Sequence, residues 1–387
     1  MRILHTADWH AGRTLHGADR TPEVRAALTE LADMAISEKV DVVVVAGDLF
    51  DSRNPSAAAE DAVYDFFLRT GAAGIPSVVI AGNHDSPARF DAVASMLKLT
   101  RVHTVGSFRP AGQGGLLQLD LEAGRLKVAA LPFLSERRMI DADALLHKDL
   151  GAQRDSYREV MRKLVQNLTH GFDHGSVNLL AMHTTFEGAT LANSEYAFHC
   201  TSSYTVPPSI VPDSANYVAV GHIHKPQPIE GLPENKARYS GSPLQLDFGE
   251  VGDAKYALLV EAAPGKPSKV TPLPMSAGRK LFRVAVTEDE LDARFDQIAE
   301  LDGWLKLVVT LERVRPGLKE HLQQTLPNLL TVEQVLPGEK GQDIERIDLR
   351  ALSLVDAYRS YLVEEKGQEK PDQLVALFQA LHDEVSA

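Results

Sequence analysis

Short apolar runs alternate with amphipathic stretches from the first residue to about residue 260. RILHTAD reads as a strand. TPEVRAALTELADMAI follows as a helix with Thr21 as N-cap, Pro22 at the first helical position, and Val24, Ala27, Leu28, Leu31 and Ala35 at helical spacing. VDVVVVAGD then sets valines side by side; they need cover on both faces, which predicts a central strand of a layered sheet. A helix from about Ser56 to Arg69, closed by Gly71, leads to the strand PSVVIAGNHD. LKVAALPF, VNLLAMH, NYVAVGHIH, ARYSGS and KYALLVE are later strands. No helix separates the last three, so the sheet is expected to become antiparallel there. An α/β fold, a two-sheet sandwich flanked by helices, is the simplest packing of these elements.

The 387 residues exceed what one core usually holds. PGKPSKVTPLPM, rich in Pro and without periodicity, predicts a boundary. The expected division is a large domain over 1–263, a linker over 264–278, and a small domain over 279–338. In the small domain KLFRVAV, ELDARFDQIAEL, WLKLVVTLE, LKEHLQQTL and LLTVEQVLP alternate as β-α-β-α-β. Residues 339–387 carry two helices; in the last, Leu374, Leu377, Phe378 and Leu381 form one apolar stripe. That stripe suits a protein partner better than DNA.

The chemistry lies where apolar runs stop. Asp8-Trp9-His10, Gly47-Asp48, Gly82-Asn83-His84-Asp85, Met182-His183 and Gly221-His222-Ile223-His224 all follow such runs, so the strands deliver ligand-type residues to one sheet edge. In extended chain, residues two apart share a face, which lets Asp8 work with His10 and His222 with His224. Asp8, His10, Asp48, Asn83, His183, His222 and His224 are too many ligands for one ion and suit two, with Asp48 as the bridge. Two such cations would sit roughly 3.5–4 Å apart and clamp a phosphate ester. His84 falls outside this count and is a candidate proton donor to the leaving oxygen, or a stabiliser of transition-state charge.

Charge and cysteine content sharpen this reading. A formal charge of −13 excludes embracing nucleic acid by bulk electrostatics, so any polyphosphate substrate needs bound cations to attract it. Cys200 is the single cysteine, which excludes an internal disulfide and a thiolate-rich site. Nitrogen and oxygen ligands favour Mn, Fe or Zn over Ca or Mg. No leader and no apolar stretch long enough for a bilayer is visible, and a cytoplasmic protein without membrane contact is expected. Arg13, Arg53 and Arg89 stand near the ligand motifs and could touch phosphates or be solvated loop residues. His5 falls on the opposite strand face from Asp8 and is expected in the core or behind a ligand. His170 and His174 are separated by the helix-breaking Gly171 and read as surface.

Singly these motifs are ordinary turn and cap chemistry. In order, D-x-H, G-D-x-x-D, G-N-H-D, a lone His and G-H-x-H resemble the calcineurin-like metallophosphoesterase superfamily. MRILHTADWH, VAGDLFD, AGNHDS, GHIHKPQ and RYSGSPLQLDF resemble, within it, the nuclease subunits of bacterial SbcCD-type break-repair complexes, and the likeness extends through the small domain and terminal helices. The resemblance implies an exonuclease on double-stranded ends and an endonuclease on single strands, with DNA ends, hairpins and single strands as substrates. It implies two divalent ions, most often Mn2+: Asp8, His10, Asp48 and His224 holding one, and Asp48, Asn83, His183 and His222 the other, with His84 catalytic. It also implies a small domain that caps the DNA site, terminal helices docked on an SbcC-type coiled-coil ATPase, and a homodimer within a heterotetramer. The homodimer would pair through helices around Ala57–Leu68 and Met96-Leu97, although Val63, Phe66 and Phe67 read equally as core. Asp51, where archaeal and eukaryotic relatives often have His, and Asp85 are candidates for orienting a ligand or meeting substrate. DSRN and GNHD depart from the protein phosphatases of the superfamily, which extend those motifs with Arg-Gly and Glu. The competing readings are a phosphatase or cyclic-nucleotide phosphodiesterase for small esters, and a DNA-end-binding scaffold for the ATPase.

Overall fold

The computed structural model describes residues 1–135, 157–192, 205–336, 358–359, 362 and 372–378. Two six-stranded sheets carry the large unit. The first runs, in spatial order, Lys269–Pro274, Tyr256–Glu261, Arg2–Thr6, Val42–Val45, Ser77–Ile80 and Val102–Val105. The second runs Gln227–Pro228, Ala237–Tyr239, Tyr217–Gly221, Val177–His183, Gly124–Leu131 and Leu116–Leu121.

Alternation along the strands explains the packing. Val42 and Val44 point with Ile3, Val78 and Ile80 toward Val128, Leu179, Ala181 and Ala219 of the second sheet. Val43 and Val45 point the other way, onto Leu28, Leu31, Val63, Phe66 and Phe67 of the outer helices Thr21–Ser37 and Ala57–Ala72. The second sheet is covered by the helix Tyr157–Thr169 through Val160, Met161, Leu164 and Leu168. The result is the expected α/β sandwich with helices on both outer faces. Val63, Phe66 and Phe67 are core, whereas Leu68, Met96 and Leu99 are exposed. His5 lies between the sheets, its Nδ1 2.9 Å from the Tyr217 hydroxyl.

Several expectations need correction. Arg20, not Thr21, occupies the N-cap position of the first helix, and no side chain caps it; Thr21 begins the helix, with its N–H donating to Asp19. The strands Tyr217–Gly221 and Ala237–Tyr239 pair in parallel, because the short strand Gln227–Pro228 intervenes in the chain and reverses its direction before Ala237–Tyr239 enters the sheet between the two. Antiparallel pairing enters instead between Gln227–Pro228 and Ala237–Tyr239, and again where Tyr256–Glu261 crosses to the first sheet beside Arg2–Thr6. The Pro-rich segment expected as linker holds the edge strand Lys269–Pro274 in its middle. Its Pro272 and Pro274 lack an N–H, a defect an edge strand tolerates.

Beyond it stands a three-stranded parallel sheet, Lys280–Thr287, Gly303–Thr310 and Leu329–Val335. Its helix after the first strand is split in two, Glu288–Ala293 and Phe295–Ala299, the first opened by a capping box between Thr287 and Glu290. Leu305, Leu307, Leu318 and Leu326 make its own core. Most of the terminal segment, Leu381 included, lies outside the described residues. In helical 372–378 Val375 is buried while Leu374 and Leu377 are exposed.

Candidate metal centre

Parallel pairing of Arg2–Thr6 with Val42–Val45, of the latter with Ser77–Ile80, and of Val177–His183 with Tyr217–Gly221 points the carboxyl ends of five strands at one edge. The chain turns sharply there. Asp8 (φ 54°), His10 (φ 45°), Asp48 (φ 51°) and His222 (φ 99°) all hold left-handed backbone, a cost non-glycine residues bear where surrounding structure fixes them. The clamps are visible: Asp8 N–H donates to Gly47 O at 2.9 Å, His10 N–H to Asp48 O at 3.1 Å, and His222 N–H to the Asp8 carboxylate at 3.0 Å.

All seven expected ligands and His84 converge. His10 Nε2 and His224 Nε2 lie 3.1 Å apart. His183 Nε2 is 3.3 Å from Asp48 Oδ2 and 3.0 Å from Asn83 Oδ1, and His222 Nδ1 is 2.8 Å from the same Asn83 oxygen. Asp8, His10 and His224 form one potential chelate and Asp48, His183 and His222 a second; His10, Asp48 and His84 lie between.

The proton positions decide what the site needs. His10 Nδ1 donates to Asp51 Oδ1 at 3.2 Å, and His224 Nδ1 faces Glu250 Oε1 at 3.4 Å. Each ring therefore turns an Nε2 lone pair toward the other. His183 Nδ1 donates to Ala46 O at 2.7 Å, which turns Nε2 toward the oxygens of Asp48 and Asn83. Lone pairs packed this closely call for a cation between them, and nitrogen-and-oxygen sets of this composition fit transition-type divalent ions. Burial keeps His10 neutral, lowering it to about 3 against the pull of Asp51, and lowers His224 as well. Neutral imidazole is the form that ligates. Burial also disfavours a charged His183, but Asp48 and Asp8 outweigh it and raise that ring to about 9, so the field there favours positive charge.

Asp51 is placed behind His10 rather than in the centre. It accepts from His10 and from Arg13 Nη1 at 3.2 Å; burial opposes its charge, yet the His10 bond and Arg13 hold its carboxyl well below the usual range. Asp85 is fully buried and accepts N–H bonds from Gly82, Leu49 and Phe50, tying the second and third motif loops together. Burial and the nearby Asp48 raise it to about 6. Of the three arginines, Arg13 is engaged by Asp51 and the Leu246 carbonyl, Arg89 pairs with Glu60, and Arg53 is exposed. His84 donates through Nδ1 to Asp51 O at 2.8 Å, and its own N–H holds Asp48 Oδ1 at 2.8 Å. His170 and His174 are exposed and distant from the ligands in the fold.

Residues 1–226 match the model of the calcineurin-like phosphoesterases, a span holding all seven ligand candidates and His84. The chain is 33% identical to the SbcD subunit of the SbcCD nuclease of Bacillus subtilis, over 98% of this chain and 97% of that protein. The chain belongs to the calcineurin-like phosphoesterase family, among the SbcD subunits of SbcCD nucleases. Other members of that group are the proteins of Rhodobacter capsulatus, 35% identical over 71% of this chain and 69% of that one, and of Escherichia coli K12, 29% over 98% and 97%. A dimetal phosphatase structure from Danio rerio aligns at a TM-score of 0.40 and 13% identity, over 72% of this chain and 99% of that one. As a calcineurin-like phosphoesterase the protein is a hydrolase.

Three residues of the site were missed in the sequence. Glu250 is fully buried behind His224, and Lys255 pairs with it at 2.5 Å. DFGEVGDAK has the composition of a solvated turn, so nothing local marked either residue as internal. Phe133, whose ring stacks on His222 at 5.9 Å and meets His183 edge-on at 6.1 Å, was equally silent at the end of an apolar run.

Proposed function

We propose that this chain is a two-metal DNA phosphodiesterase, most active with Mn2+, that works as the nuclease subunit beside an SbcC-type ATPase. The observation that carries the reading is the pair of facing Nε2 atoms, His10 and His224, beside an Asp48 carboxylate shared with His183. Asp8, His10, Asp48 and His224 hold one ion, and Asp48, Asn83, His183 and His222 the other. Ions bound there supply Lewis-acid stabilisation of charge on the phosphoryl oxygens. The chain does the rest. The Asp51 carbonyl holds the proton on His84 Nδ1, so Nε2 is the nitrogen left for the substrate: with Nε2 protonated as well, the imidazolium gives that proton to the leaving oxygen and returns to the neutral Nδ1–H form. The loops clamped by Asp85 hold Asp48 and Asn83 in register, and the Asp51 carboxylate aims His10.

The small parallel sheet docks beside the carboxyl-end loops through Leu281, Leu330 and Phe248, a position suited to capping a polymer substrate. Exposed Leu68, Met96 and Leu99 offer an apolar face for a homodimer, the segments adjoining where Gly71 lies against the Thr100 carbonyl. The SbcCD relatives support DNA and the ATPase as partners. Among the described residues no helix is long and apolar enough to cross a membrane.

The test is Mn2+-dependent cleavage of end-labelled duplex DNA, beside a small phosphodiester and a phosphomonoester, by wild type and His84→Gln. Stepwise shortening of the duplex, lost by about 10²-fold or more in the variant while Mn2+ uptake is kept, is expected. Hydrolysis of the small esters alone, with DNA intact even beside the ATPase, would contradict the nuclease reading.

A further inference from the structure

The ligand His224 is gripped at two points by one buried ion pair. Glu250 Oε1 stands 3.4 Å from the ring Nδ1, while Glu250 Oε2 takes Lys255 Nζ at 2.5 Å and the Leu246 N–H at 3.0 Å. Lys255 in turn donates to the His224 carbonyl and to Ser242 Oγ, both at 2.9 Å. Burying two charges costs desolvation that mutual attraction seldom recovers, so a buried pair is weak evidence of a stability role. A carboxylate on the far nitrogen of a ligating imidazole, in contrast, fixes its tautomer and orientation.

The loop that bears this pair has an outer face on the small parallel sheet. Gln245 Nε2 binds the carbonyls of Glu250 and Asp253 at 3.0 and 3.2 Å, and Gln245 Oε1 accepts the N–H of Leu281 on the first strand of that sheet at 3.2 Å. Phe248 packs with Leu15, Leu281 and Leu330, with Trp304 against them. Arg20 Nη1 holds the Gln245 carbonyl at 3.1 Å, and the same Arg20 is braced by Glu23, which also accepts Trp304 Nε1 at 2.7 Å. One short loop thus contacts the capping unit on one side and a metal ligand on the other.

We propose that Glu250 is a positioning residue for His224, and that the loop 242–255 makes the hold on one of the two ions depend on docking of the capping sheet. This rests on the two-metal reading above. Its consequence is regulatory: whatever displaces the cap, a DNA end or the ATPase, loosens the ion at His224 and leaves the ion at His183 in place.

The experiment is calorimetric titration of the full chain with Mn2+ alone, with the exchange-coupled electron paramagnetic resonance signal of a dinuclear centre recorded alongside. Wild type, Glu250→Gln and Leu330→Ala are compared, the last lying in the capping sheet away from every ligand. Glu250→Gln is expected to weaken one ion about 10- to 100-fold, leave the other unchanged, and replace the coupled signal by a mononuclear one. Leu330→Ala is expected to weaken the same ion severalfold. If the stranded Lys255 charge makes the first variant too unstable to titrate, Glu250→Gln/Lys255→Met gives the same readout without it. Two ions bound as in wild type, or both lost together, in the Glu250 variant overturns the positioning role. Unchanged affinities in Leu330→Ala overturn the link to the cap. A wild type that binds fewer than two ions contradicts the two-metal reading itself, and the inference with it.

Discussion

At the scale of single residues, the centre is built from backbone conformations that side chains resist. Gly82 shows why glycine stands there: a Cβ would lie 2.0 Å from Asp48 Oδ1 and 2.5 Å from the Asp48 N. Gly82→Ala is therefore expected to displace the Asp48 carboxylate proposed as the bridge, lowering Mn2+ affinity and stability together; differential scanning calorimetry with and without Mn2+ measures both. Asp51→Asn acts differently: its amide oxygen still accepts from His10 Nδ1 and Arg13, but the negative charge that orients the His10 ring and raises its basicity is lost. A loss of about 10- to 100-fold in affinity for one ion, with folding kept, is expected from titration with Mn2+. The candidate ligands, which the fold brings together, were legible in the sequence because each closes an apolar run and five such closures occur in order. Asp51 and Asp85 were visible only as candidates, for a motif shows which residues are near a ligand, not which atom they face. Glu250 was invisible because its burial comes from a loop folding back over His224, a contact across 26 residues that no local pattern encodes.

At the scale of elements, hydrophobic periodicity predicted the central strands and the helices Thr21–Ser37 and Ala57–Ala72, because those strands bury both faces and those helices one; the strands Val102–Val105 and Leu116–Leu121 and the helix Tyr157–Thr169 went unmarked. Ile80 is wholly buried between the sheets, and Ile80→Ala is expected to cost about 2–5 kcal/mol by denaturant unfolding. Thr287→Ala removes the one complete capping box described and should destabilise the small sheet by about 1 kcal/mol. Periodicity failed where pairing partners, not composition, decide structure. Lys269–Pro274 read as linker because its prolines break patterns, yet the strand Tyr256–Glu261 offered it a free edge. Parallel pairing of Ala237–Tyr239 failed for the same reason, since strand direction is set by where a loop returns.

At the scale of the whole molecule, the two-metal reading has an acidic chain of charge −13 concentrate positive charge by ligation rather than by lysine and arginine. The candidate ligands come from both sheets at their common edge, so ions bound there are expected to stabilise the sandwich by mass action. Mn2+ at a hundred times its dissociation constant should add about 2.7 kcal/mol, read as a rise in Tm that chelation reverses. The Glu23 carboxylate joins the large unit to the small one, accepting from Trp304 Nε1 and from the Arg279 N–H at 2.8 Å. The most direct test of the two-metal account is anomalous diffraction from crystals of the chain grown with Mn2+. The account expects two peaks roughly 3.5–4 Å apart, with Asp48 touching both, His10 and His224 on one, and His183 and His222 on the other. A single peak, or two that share no Asp48 oxygen, would contradict it.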